Sequence, residues 1–133
     1  MMTKERTFEA KKNELIGELM LLRIHEGCTP ARMLSEAPAL VVALGGEEQG
    51  VDRLFTRFKS LLDSLPDQKS VDMLRASYGF FPEHAGSTLR KRRDSYRRVS
   101  NKNYATQEKC ENAVIRVLAI TLLTYDKNAV IPP

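Results

Sequence analysis

Several things are missing from this chain, and each absence removes a class of function. There is no tryptophan, and the two cysteines, Cys28 and Cys110, lie far apart with no CxxC spacing. That excludes a disulfide framework or a zinc ribbon, both of which need more ligands at closer spacing, and leaves two reduced thiols. No apolar run approaches the roughly 18 residues of a membrane span, because Arg116 and threonines interrupt the longest one. The opening MMTKERTFEAKK is charged and has no apolar signal core, so the expected location is cytoplasmic. No repeat, low-complexity linker, Walker loop, GxSxG elbow or HExxH occurs. His25 and His84 are isolated from any Cys or carboxylate pair at ligand spacing. The residues therefore imply no catalytic group, metal or cofactor, and a protein that is not an enzyme.

What is present is a basic run. Between Arg90 and Arg98 stand Arg90, Lys91, Arg92, Arg93, Arg97 and Arg98 against a single anion, Asp94. The net charge of +4 hides the asymmetry this creates. Residues 1–87 carry 11 Lys/Arg and 13 Asp/Glu, whereas residues 88–133 carry 10 and 4. A basic C-terminal third on a slightly acidic body points to a polyanionic partner. Arginine dominates the run, and its planar fork suits phosphate oxygens.

At 133 residues the chain fits one compact domain with one core. Residues 4–26 read as a leading helix, with Phe8, Leu15, Leu19 and Leu22 on its apolar side and Gly27 as its stop. Thr29-Pro30 predicts the N-cap and first residue of the next helix, with Met33, Leu34 and Ala37 buried. Pro38 breaks it, so that ALVVAL forms a short helix ending at Gly45-Gly46. The stretch 47–65 carries the cleanest stripe, through Leu54, Phe58, Leu61 and Leu62. Another short helix over 68–79 ends at Gly79, and Phe80-Phe81 plug the core behind it. The basic helix spans about 86–99, and Leu89 and Tyr96 are its inward residues. After the polar turn VSNKN, the last helix runs over about 104–125. One of its faces holds Cys110, Ala113, Val114, Val117, Leu118 and Thr121, and a second holds Ile115, Ala119, Leu122 and Leu123. Residues 127–133 form a tail. No sustained alternation or Asn-Gly turn predicts a strand. The expected fold is all-α, a single bundle of five to seven helices over residues 1–133.

Cationic helix, polar turn and second helix follow the order of a helix-turn-helix element, here over residues 88–126. In that reading Arg90, Lys91, Arg93, Arg97, Arg98 and Lys102 contact phosphates, while Asn103, Thr106, Gln107 and Lys109 sit nearest the bases. The partner would be double-stranded DNA, and the role transcriptional regulation. The turn from Val99 to Asn103 is longer than the usual three or four residues. The alternative is a protein-interaction or adaptor module whose nearly all-round apolar last helix docks onto a partner chain. Homodimerisation fits both.

Residues 30–123 also resemble a small helical module that recurs in actinobacterial proteins, alone or ahead of signalling and defence-type domains. The matching residues are Ser64-Leu65-Pro66-Asp67, Tyr78-Gly79-Phe80, and Thr88-Leu89 with Arg92-Arg93 and Tyr96. In the last helix they are Thr106, Lys109, Glu111, Ala113, Leu118-Ala119 and Leu122. The resemblance implies a helix-turn-helix-like C-terminal end. It also implies a second use for the paired arginines, in packing and in salt bridges with Glu108 or Glu111. The 100–105 turn is longer here than in the module.

Overall fold

Capping chemistry sets the helix boundaries. The structure is a computed structural model and describes residues 4–81, 88–93 and 104–124. Among these, every regular element is helical. The helices are α1 (Lys4–Leu21), α2 (Pro30–Glu36), α3 (Pro38–Leu44), α4 (Val51–Asp63), α5 (Gln68–Tyr78), α6 (89–93) and α7 (Tyr104–Thr124). A 3-10 turn, Glu47–Gln49, precedes α4.

Thr29 caps α2 by accepting from the Arg32 amide at 3.1 Å, and Pro30 follows as first residue. Pro38 opens α3, whose free amides are met from outside. The Glu18 carboxylate of α1 accepts from Ala39 N at 3.0 Å and from Leu40 N at 2.9 Å. That one side chain both caps α3 and ties it to α1. Asp67 caps α5, and Gly79 ends it in the left-handed region at φ 76°.

The apolar stripes then close one core. Leu15 and Leu19 of α1 and Leu22 just after it join Leu54, Phe58 and Leu62 of α4 and Ile115, Leu118 and Leu122 of α7 in one cluster. Phe80 stands 5.6 Å from Phe55 and 5.6 Å from Tyr78, centroid to centroid, so it seals the end of α5 as expected. The buried Tyr78 hydroxyl donates to Leu19 O at 2.9 Å, linking α5 to α1.

Three boundaries or faces differ from the sequence reading. Helix α1 stops at Leu21 rather than running to 26, because 22–27 form a turn with His25 at φ 58°. The 47–65 pattern divides into a 3-10 turn and α4, separated by Gly50 at φ 88°. Helix α7 buries one face only. Ile115, Leu118, Ala119 and Leu122 are inside, while Val117 and Ile120 are 50% and 44% exposed. Phe8 and Leu34, read as inward, are exposed as well.

Candidate nucleic-acid interface

Helix α6 begins at Thr88, which caps it through its hydroxyl (Lys91 N, 3.2 Å) and its carbonyl (Arg92 N, 3.0 Å). Helical spacing then divides the basic run. Arg90 and Lys91 face solvent, whereas Arg92 and Arg93 point into the protein at 0% and 3% exposure. Four neighbouring cations thus fall into two populations.

Arg92 closes two helix ends at once. Its Nε and Nη2 donate to Ser77 O of α5 at 3.1 and 3.0 Å. Nη2 also donates to Arg23 O at 2.6 Å, and Nη1 to His25 O at 3.0 Å, both in the turn after α1. Carbonyls at helix C-termini have no intrahelical partner and carry the negative end of the helix dipole, so a guanidinium suits them. Burial, together with repulsion from Arg32 and Arg93, lowers the Arg92 pKa from its ordinary value.

Two glycines let these turns approach. A Cβ on Gly27, which sits at φ +91°, would lie 2.2 Å from Tyr78 O. One on Gly79 would lie 3.2 Å from Glu26 O and 3.5 Å from Arg92 Cδ. Cys28 N donates to Tyr78 O at 2.8 Å across the same seam.

Arg93 binds Glu111 of α7 through Nε (3.2 and 3.1 Å) and Nη2 (2.6 Å), and Nη1 stands 3.7 Å from Glu108. Arg23 reaches the same Glu111 Oε1 at 2.7 Å. A fourth buried arginine, Arg32, donates to Leu21 O at 3.1 Å, to Gly27 O at 2.7 Å and to Ile24 O. It also pairs with Glu36 at 2.6 Å, and that hydrogen bond holds the Glu36 carboxyl below its usual range. The turn after α1 is therefore enclosed by guanidinia from α2 and α6.

The candidate contacts consequently separate. Arg90, Lys91 and Lys109 are exposed, with no ion pair among the described residues. Arg93, read as a phosphate contact, is spent on Glu111, the alternative pairing the arginines also allowed. Gln107, read as a base contact, is fully buried, and neither amide atom has a hydrogen-bond partner among the described residues. It lies one turn before Glu111 on the inward face of α7. Thr106 falls in α7, but its side chain is outside the description, as are Arg97, Arg98, Lys102, Asn103 and the 99–103 turn.

Sequence reasoning passed over Arg23 and Arg32, which local pattern does not separate from surface arginines. It also passed over Arg116, an exposed cation one helical heptad beyond Lys109. Among the described residues no cluster of His, Cys, Asp or Glu could hold a metal, and no helix is long and apolar enough to cross a membrane. No protein-family model matches the chain, and neither a curated protein nor a solved structure matches it significantly.

Proposed function

We propose that this chain is a small DNA-binding regulatory protein without enzymatic activity, acting in the cytoplasm through a helix-turn-helix-like C-terminal end. One observation carries the reading. Arg90 and Lys91 project, with no ion pair among the described residues, from a helix whose next two residues are buried and multiply bonded. A cationic pair held on an anchored base meets a phosphate backbone with little ordering cost. Lys109 on α7 is a third exposed cation, and Arg97, Arg98 and Lys102 add to the cations of this part of the sequence. Asn103 and Thr106 stand nearest the bases in this reading. Arg93 and Gln107 leave the contact set for the reasons above.

The test is a filter-binding titration of random duplex DNA at two salt concentrations. With about four phosphates neutralised, log affinity falls against log salt with a slope of about −3.6. Replacing Arg90 and Lys91 together with alanine weakens binding and reduces that slope by about 1.8. No binding at low salt, or binding that ignores the double substitution, sinks the reading. A second reading, a protein-interaction module of a signalling or defence system, is favoured by the exposed apolar side of α7.

A further inference from the structure

Helix α7 carries two separate stripes. The inward one, Gln107, Glu111, Ile115, Leu118, Ala119 and Leu122, belongs to the core and the arginine network. The outward one is Cys110, Ala113, Val117, Ile120 and Thr124, which are half-buried or exposed. Successive members of the outward stripe are three, four, three and four residues apart. That spacing is the a/d seam of a coiled coil, narrower than the face a helix turns toward its own core.

The seam is also drier than its composition suggests. Thr121 Oγ1 donates to Val117 O at 2.9 Å, and Thr124 Oγ1 donates to Ile120 O at 3.1 Å. Both hydroxyls are satisfied within the helix, so docking would leave neither unpaired. No charged residue interrupts the stripe.

From this spacing and its flanks we infer that the outward seam of α7 is a self-association surface, packing against α7 of a second copy in parallel. The flanks decide occupant and direction. Lys109 and Arg116, one heptad apart and both exposed, line one side of the seam. On the other side Val114, together with Cys110, Ala113 and Val117 of the seam itself, lines a groove of ≈ 300 Å³ walled by Leu65 and Pro66 and rimmed by Asp67, the N-cap of α5. A two-fold axis parallel to the helices brings the basic flank of each copy to the acid-rimmed groove of the other. An antiparallel pair would set Lys109 and Arg116 against their own counterparts, which like-charge repulsion disfavours. The lysine and arginine stems then cover the seam edges while their heads stay in water.

This inference does not depend on DNA binding, and the two fail separately: salt titration reads one and sedimentation the other. The test is sedimentation velocity of the full chain over a concentration series. The expected result is a reversible monomer–dimer equilibrium, abolished by Val117→Glu and by Ile120→Glu. Val42→Glu, a substitution on α3 at a still more exposed apolar residue, leaves it unchanged. All three positions are exposed, and unaltered thermal melts of dilute protein show that each variant folds. Parallel pairing also brings the two Cys110 residues opposite each other, where Cα atoms about 6 Å apart permit a disulfide. Mild oxidation with copper phenanthroline then yields a covalent dimer that Cys110→Ser abolishes. A monomer at every concentration, or a dimer indifferent to Val117→Glu, overturns the inference. A dimer lacking the Cys110 cross-link overturns its parallel direction.

Discussion

Arg93 and Glu111, eighteen residues apart in sequence, form a forked ion pair inside the protein, with side chains 4% and 0% exposed. Arg23 joins on the same carboxylate oxygen. One buried anion thus sits between two guanidinia and joins α6, α7 and the end of α1. Removing it takes from two buried cations the carboxylate they share, so Glu111→Ala is expected to cost about 3–5 kcal/mol in urea denaturation. Glu108, half exposed and 3.7 Å from Arg93, should cost under about 1 kcal/mol when replaced by alanine. Equal losses at the two positions would contradict this division of labour.

Arg92 offers a second, sharper comparison. Its guanidinium satisfies three carbonyls on two elements, which a lysine ammonium cannot do, because a single point charge has no fork. Arg92→Lys keeps the charge and is still expected to lose about 2 kcal/mol or more, through carbonyls left buried without donors. The reading is a shift of the thermal midpoint. A lysine variant as stable as the parent would mean that charge alone suffices at the two helix ends.

Glu18 makes stability depend on pH with an unusual sign. Burial raises its carboxyl pKa above the ordinary value; the two backbone amides it accepts from pull the other way, and Glu14 adds to the rise. The folded carboxyl therefore holds its proton more tightly than the unfolded one. Stability linked to this group is full below the unfolded pKa and is lost as pH rises through the folded pKa. Relative to Glu18→Gln, the parent should be progressively less stable between acid and neutral pH. Denaturant midpoints of both proteins over that range measure it, and a difference that grows in the parent's favour contradicts it.

The two thiols should react as different species. Burial pushes the Cys28 thiol up to about 12, against weaker lowering by Arg32 and Lys59, whereas Cys110 is half-buried. A thiolate is the reacting form, so a disulfide reagent at mildly alkaline pH should titrate Cys110 first. Cys28 should follow only when denaturant opens the core. Prompt labelling of Cys28 in the Cys110→Ser protein would show that the packing around α2 and α5 opens readily.

Much of the helical framework was legible in the sequence, and the reasons are local. Thr29-Pro30, Pro38 and Gly79 each act through groups within one helical turn, and each sits at an observed boundary. The stripe of α4 was readable because its apolar spacing has one period and one solution. Helix α7 was not, since it carries apolar residues on both stripes and only the neighbours choose which one is buried. The end of α1 was missed because Leu22 through Glu26 look helical in pattern, while distant guanidinia from Arg32 and Arg92 stabilise their turn.

The basic run shows where sequence stops. Composition determined that a cluster of cations sits in the C-terminal third, because charge is a property of residues alone. It could not sort Arg90 and Lys91 from Arg92 and Arg93, since all four carry the same charge on similar stems. Tertiary structure made the division by bringing carbonyls from two helix ends and one buried carboxylate to one side of α6. A buried guanidinium is tolerable only where such acceptors converge, and that convergence exists in no stretch of the chain until it folds.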